Sequence, residues 1–119
     1  MAESPRLICR SEDLADAGRG VRFEIEMKGR QIAAFVVRHH GRVVGYLNRC
    51  GHLPTELDWN AGDFFDSAGR DLLCATHGAR YDAATGRCLG GPCDGVPLVP
   101  VRIEERDGKV YYAGRHEDG

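Results

Sequence analysis

The stretch Cys50-Gly51-His52, followed after twenty-one residues by Cys74-Ala75-Thr76-His77, decides how this chain is read. Two thiols and two imidazoles in short, separated pairs suit a metal centre, because each pair brings two donors to one ion or cluster while the intervening chain folds back. Either half alone carries little weight. Together, each followed by turn-forming or small residues (Leu53-Pro54 and Gly78-Ala79), they carry a good deal. Such a donor set can hold a lone zinc ion, for which mixed thiolate and imidazole ligation is ordinary. It can also hold a two-iron cluster in which histidines replace two of four cysteines on one iron. A structural zinc site usually places both cysteines in one arm and both histidines in the other. Here each arm carries one of each, as required if one thiolate from each arm goes to a first iron and one imidazole from each arm to a second.

At these residues the sequence resembles the Rieske iron-sulfur proteins, whose pattern is Cys-x-His, a spacer and Cys-x-x-His. Gly78, Tyr81-Asp82 and Gly90-Gly91-Pro92 are similar to that family's second cluster loop and proline loop. Matching residues run from about Asn48 to Pro92, somewhat over a third of the chain, and the spacer is longer than is common in the family. The resemblance implies a [2Fe-2S] cluster, with Cys50 and Cys74 on the buried iron and His52 and His77 on the outer one. It also implies an all-β fold of stacked antiparallel sheets. The disulfide that braces the two loops in respiratory members needs a cysteine in each arm; Thr55 and Thr76 stand about there, so that brace is absent.

Charge counting explains why such ligation matters. Two ferric ions and two sulfides sum to plus two, so two thiolates leave the oxidised centre neutral, whereas four would leave it at minus two. An electron enters a neutral site at lower cost, and the potential rises relative to plant-type ferredoxins. Metal-bound imidazoles can further couple electron gain to proton gain. Tyr81 occupies the position of a tyrosine that donates to a ligand sulfur in high-potential members, while Ala79 stands where they place a serine hydroxyl. Loss of that donor predicts an intermediate to low potential within the family.

The remainder of the chain bounds this reading. Its 119 residues suit one domain, 1–119, with a cluster-bearing lobe over approximately 46–96. Hydrophobic content of 42% and charged content of 29% are those of a globular protein and argue against disorder. Sixteen basic residues nearly balance 18 acidic ones, and no basic block of nucleic-acid type occurs. Neither a signal peptide nor a membrane span is read at the N-terminus, so a cytoplasmic protein is expected. Of five cysteines, Cys9, Cys88 and Cys93 are left over; free thiols are the default in a reducing compartment, with a Cys88–Cys93 disulfide as the less favoured alternative. Cys9 is read as a packing residue in a strand.

Period-two alternation over Val21 to Met27 predicts a half-buried strand, Lys28-Gly29-Arg30 a turn, and Gln31 to Arg38 the returning strand. His39-His40-Gly41 then turns into Arg42 to Leu47, which leads directly to Cys50. Leu72-Leu73 and Ala79 to Tyr81 flank the second arm, Thr85-Gly86 turns a hairpin, and Val99 to Glu104 pairs with Lys109 to Ala113. One helical turn is expected near Ser11 to Ala17, capped by Ser11. The order predicts a base built from residues 1 to 45 and 97 to 115, with the lobe inserted and the arms at its tip.

Two-sided readings attach to several other residues. Leu53, Pro54, Leu57 and Trp59 form either an apolar collar that docks a partner or the core of the lobe; Leu53 and Pro54 are placed at the rim and Trp59 in the packing. Arg49 and Arg80 either attract an acidic partner and steady the reduced centre or are solvated surface. His39, His40 and His116 are read as solvated, so no oxygenase iron site is expected and no catalytic residue is assigned. The chain is thus expected to be a Rieske-type ferredoxin or small electron-transfer subunit, not an enzyme on its own. It would serve a reductase, a terminal oxygenase or both, with neither nucleic acid nor membrane as partner. A zinc-binding structural or regulatory domain and a redox-sensing iron-sulfur regulator using Cys88 and Cys93 stay open as alternatives.

Overall fold

The computed structural model describes residues 6–27, 29–49, 56–58, 62–74, 78–91 and 95–115. In chain order the strands are β1 Arg6–Arg10, β2 Val21–Met27, β3 Arg30–His39, β4 Arg42–Leu47, β5 Asp71–Leu73, β6 Arg80–Asp82, β7 Cys88–Gly90, β8 Pro100–Arg106 and β9 Lys109–Arg115. Every pairing between them is antiparallel, in a six-stranded sheet ordered β1-β9-β8-β4-β3-β2 and a three-stranded sheet ordered β5-β6-β7. The fold is all-β, and the expected base and inserted lobe correspond to these two sheets. The turn near Ser11 is a 3-10 turn over Ser11–Asp13. It is opened by Arg10 rather than Ser11, because the Arg10 N–H donates to Asp13 Oδ2 at 3.0 Å.

Side-chain alternation explains why the base curls. Along β2, Arg22, Glu24 and Glu26 are exposed while Phe23 and Ile25 turn inward, and on the partner strands Ala34, Leu47, Val101, Ile103 and Tyr112 join them in one cluster. Burying those inward faces against one another brings the two edge strands together. Phe23 of β2 lies 5.8 Å from Tyr112 of β9, and the Arg6 guanidinium of β1 sits over both rings at 5.9 and 5.7 Å while donating to the Glu24 carbonyl of β2. The sheet is therefore a nearly closed barrel whose edges are latched by one arginine, which also covers otherwise unpaired backbone. A second latch is Arg38, which donates to the carbonyls of Ser11 and Leu14 and to both carboxylate oxygens of Glu105. That hydrogen bond from Arg38 holds the Glu105 carboxyl below its ordinary range.

β3 departs from alternation for a reason that positions the site. Ala34, Phe35, Val36 and Val37 are all fully buried. Ala34 and Val36 face the barrel interior, whereas Phe35 and Val37 point out to the lobe. A strand covered on both faces reads as a continuous apolar run. The outer face packs into a core shared with Leu57, Phe64, Leu72, Cys74, Ala79, Tyr81, Ala83 and Leu98, so barrel and lobe are joined by one hydrophobic cluster. Tyr46 of β4 anchors it with a buried hydroxyl that donates to the Ala83 carbonyl at 2.7 Å. The hairpin turn between β6 and β7 seats directly on the same ring: a Cβ at Gly86 would meet Tyr46 Cε1 at 2.8 Å, and its φ of +79° also favours glycine. Tyr46→Phe strips the Ala83 carbonyl of its donor while keeping the ring. It is expected to cost about 1–2 kcal/mol, read as a lower urea midpoint at unchanged m-value.

Candidate metal centre

The two arms leave segments that share one hydrophobic core, and each is closed at its base by hydrogen bonds. β4 ends at Leu47, and Asn48 continues its register one residue further, its N–H donating to the Ala33 carbonyl at 2.8 Å. Exposed Arg49 follows. On the far side of the first arm the Leu57 N–H returns to Asn48 Oδ1 at 2.8 Å. The second arm springs from β5. Cys74 donates its N–H to the Ala79 carbonyl at 2.9 Å and accepts from the Gly78 N–H at 2.7 Å, which draws residues 74 and 79 together. Leu57, at the base of the first loop, and Cys74 and Ala79, at the base of the second, are each fully buried in the shared core.

Of the four ligand candidates, the structure places Cys74: buried, outside any disulfide, and surrounded by apolar side chains. Cys50, His52 and His77 lie outside the described residues, as do Leu53, Pro54, Thr55, Trp59, Thr76, Pro92, Cys93 and His116. A thiol buried among apolar side chains suits a thiolate-bound cluster, whose sulfur side would be screened from water. Ala79 and Tyr81 are fully buried beside it, so position 79 offers methyl and not hydroxyl to its surroundings. The glycine turn after β7 closes the site from the side. A Cβ at Gly91 would meet the Gly78 carbonyl oxygen at 2.8 Å and Ala79 Cα at 2.9 Å, an approach only glycine allows.

Two readings change with the geometry. Arg80 is not a free surface charge: it pairs with Asp66 and, at 3.4 Å, with Asp71, so its charge is compensated within the lobe. Cys88 is disulfide-bonded, against the free-thiol default, with a partner outside the described residues. Cys9, as expected, packs half-buried in the barrel, and burial pushes its thiol up to about 11. His39 and His40 meet at the β3–β4 turn with ring centroids 4.0 Å apart, and His39 stacks on Phe65 at 5.9 Å.

Comparison with known proteins now bears on this arrangement. A family model described as the Rieske [2Fe-2S] domain matches residues 4–102. The chain belongs to that family. The cofactor of this Rieske domain is accordingly a [2Fe-2S] cluster. Among curated relatives, the ferredoxin component of a naphthalene 1,2-dioxygenase system from Pseudomonas aeruginosa is 28% identical over 81 residues, covering 67% of this chain and 71% of that protein. Among solved structures, the ferredoxin of carbazole 1,9a-dioxygenase from Nocardioides aromaticivorans IC177 superposes with a TM-score of 0.71 at 20% identity, covering 95% of this chain and all of the other. A ferredoxin from Sphingomonas yanoikuyae B1 gives a TM-score of 0.70 at 24% identity, covering 92% and 98%. At these identities the structural matches show the fold. No helix among the described residues is long and apolar enough to cross a membrane.

Sequence reading missed the polar pair that closes the first arm, Asn48 and Asp58. Asn48 is 1% exposed and Asp58 6% exposed, and Asn48 Nδ2 donates to Asp58 Oδ1 at 3.0 Å. A polar residue directly after an apolar strand and two residues before a Cys/His pair was the available signal. Its partner ten residues on could not be read from spacing.

The lobe carries its own pH dependence. Burial alone would raise the Asp66 carboxyl, but backbone N–H groups of Arg70 and Asp71 and the charge of Arg80 outweigh it and hold it below the ordinary range. A depressed carboxylate contributes stability above its unfolded pKa, about 3.9, and loses it as pH falls through the folded value. Asp66→Asn should therefore lower the urea midpoint at pH 7, with the difference from the unsubstituted protein shrinking below about pH 4.

Proposed function

We propose that this chain is a Rieske-type ferredoxin that carries single electrons to or from a redox partner, with Cys50, His52, Cys74 and His77 as the cluster ligands. The observation that carries the reading is the shared burial of Leu57 and Cys74, which sets the bases of the two ligand-bearing loops against one core. When bound, a cluster so ligated would accept and release one electron at a time. The protein's part is to hold and shield. Cys74 and Cys50 would supply thiolates, His52 and His77 imidazoles, and Leu57, Phe64, Ala79 and Tyr81 would keep water from the thiolate side. Backbone hydrogen bonds at Cys74, Gly78 and Ala79 close the base of the second loop, which limits rearrangement there as charge changes.

Partner choice follows the relatives. A ferredoxin that matches this chain at a TM-score of 0.69 and 24% identity was solved in a complex with the oxygenase of carbazole 1,9a-dioxygenase. A terminal oxygenase, a reductase that feeds it, or both are proposed as partners here, with the chain acting as a component and not as an enzyme. Leu89 and Val96, 51% and 39% exposed on either side of the Gly91 turn, offer apolar surface for brief docking. A cytoplasmic location and a single domain over 1–119, its cluster lobe spanning approximately 46–96, belong to the same proposal.

Freshly purified protein should be brown-red, contain two irons and two sulfides per chain, and give the paramagnetic resonance signal of a mixed Cys/His cluster on reduction. Colourless material with one zinc per chain would reject the assignment. His52→Cys or His77→Cys should lower the midpoint potential or lose the cluster. Ala79→Ser should raise the potential by roughly one hydrogen bond, about 1 kcal/mol or 40 mV for one electron.

A further inference from the structure

We infer that Asn48 and Asp58 are positioning residues for the first ligand arm, fixing the entry and exit of the loop that carries Cys50 and His52. The inference rests on the ligand reading above and adds to it the groups that set where that loop stands.

The network is directional. Two backbone donors point into it, the N–H of Leu57 onto Asn48 Oδ1 at 2.8 Å and the N–H of Gly62 onto Asp58 Oδ2 at 2.9 Å. Between them Asn48 Nδ2 donates to Asp58 Oδ1 at 3.0 Å. With a donor at each end, the two side chains must offer three acceptors and one donor, which is what an amide followed by a carboxylate supplies. The orientation of the amide then has no freedom: it cannot flip without facing a donor with a donor. The same pair is tied outward to the barrel. Asn48 N–H donates to Ala33 of β3, the Gly62 carbonyl accepts from Gly20 N–H at 2.8 Å, and Arg22 of β2 reaches Asp58 Oδ2 at 3.5 Å and Glu56 at 2.5 Å.

Burial gives the network its weight. The Asp58 side chain is 0% exposed, and a buried carboxylate is retained only when its oxygens are satisfied. Apolar packing of Leu57 holds the arm's base down without fixing its rotation, whereas three directional bonds fix both its height and its orientation. Asn48 stands two residues before Cys50, so a shift of its backbone passes directly to that thiolate.

The test uses the full-length, cluster-loaded protein and four variants. Asp58→Asn and Asn48→Asp each leave two donors or two acceptors face to face. Each should alter the g-values or broaden the lines of the reduced protein's resonance spectrum, shift its midpoint potential, and speed iron loss to a chelator roughly tenfold or more. Combining Asn48→Asp with Asp58→Asn restores three acceptors and one donor at unchanged net charge, and should return the spectrum and the rate of iron loss to those of the unsubstituted protein, while the potential keeps the offset of a carboxylate moved from Arg22 to position 48. Arg38→Ala, which breaks the Glu105 latch in the barrel, should lower thermal stability and leave spectrum and potential unchanged. The inference is overturned if the single variants lose stability with an unaltered spectrum and potential, if the combined variant fails to restore the spectrum and the retention of iron, or if Arg38→Ala shifts spectrum and potential equally. Should a single variant fail to fold, the combined variant still decides between restoration and its absence. Unsubstituted protein without the two-iron signal would refute the ligand reading itself, before any variant is compared.

Discussion

Phe35 lies flat against Phe64, ring centroids 3.9 Å apart and planes 12° from parallel, and the site depends on that contact. Phe35 belongs to the outward face of β3, Phe64 to the spacer between the two ligand arms. Their stacking pulls the spacer back onto the barrel, and Leu57, Leu72, Cys74 and Tyr81 close around it. Leu57 and Cys74, at the described ends of the two loops, thereby share one apolar floor. Without a strand apolar on both faces there would be a barrel and a loose insertion, with nothing to hold Leu57 and Cys74 in one core.

The polar groups near the site do a different job from the apolar ones. Burial of Leu57 and Cys74 supplies non-directional attraction, which brings the loop bases together but leaves their rotation soft. The bonds among Asn48, Leu57, Asp58 and Gly62 supply direction at the first arm, and those among Cys74, Gly78 and Ala79 supply it at the second. Asp66 and Asp71 neutralise Arg80 within the lobe, so the strand leaving the second arm is fixed by ion pairs and not left to a partner. A centre that exchanges electrons with little rearrangement is served by such a frame.

Much of this was legible in the residues. Alternation in Val21 to Met27 and the turn residues at 28–30 and 39–41 marked β2, β3 and β4, and two Cys/His pairs marked the proposed metal centre. Those signals are local, because strand period, turn chemistry and ligand spacing each act over a few residues. Cysteine pairing was less legible: Cys88 is disulfide-bonded where a free thiol was the default reading, since spacing says nothing of geometry.

The amino-acid order by itself determined the all-β class, the meander that leads into the first arm, and the chemistry of the proposed donor set. Tertiary structure alone decided that β3 is buried on both faces, that Arg6 latches the barrel edges, and that Asn48 meets Asp58. These pairings join residues whose separation along the chain follows no period. They exist only because sheet curvature and the shared core bring the segments to one place, where a buried donor must find an acceptor.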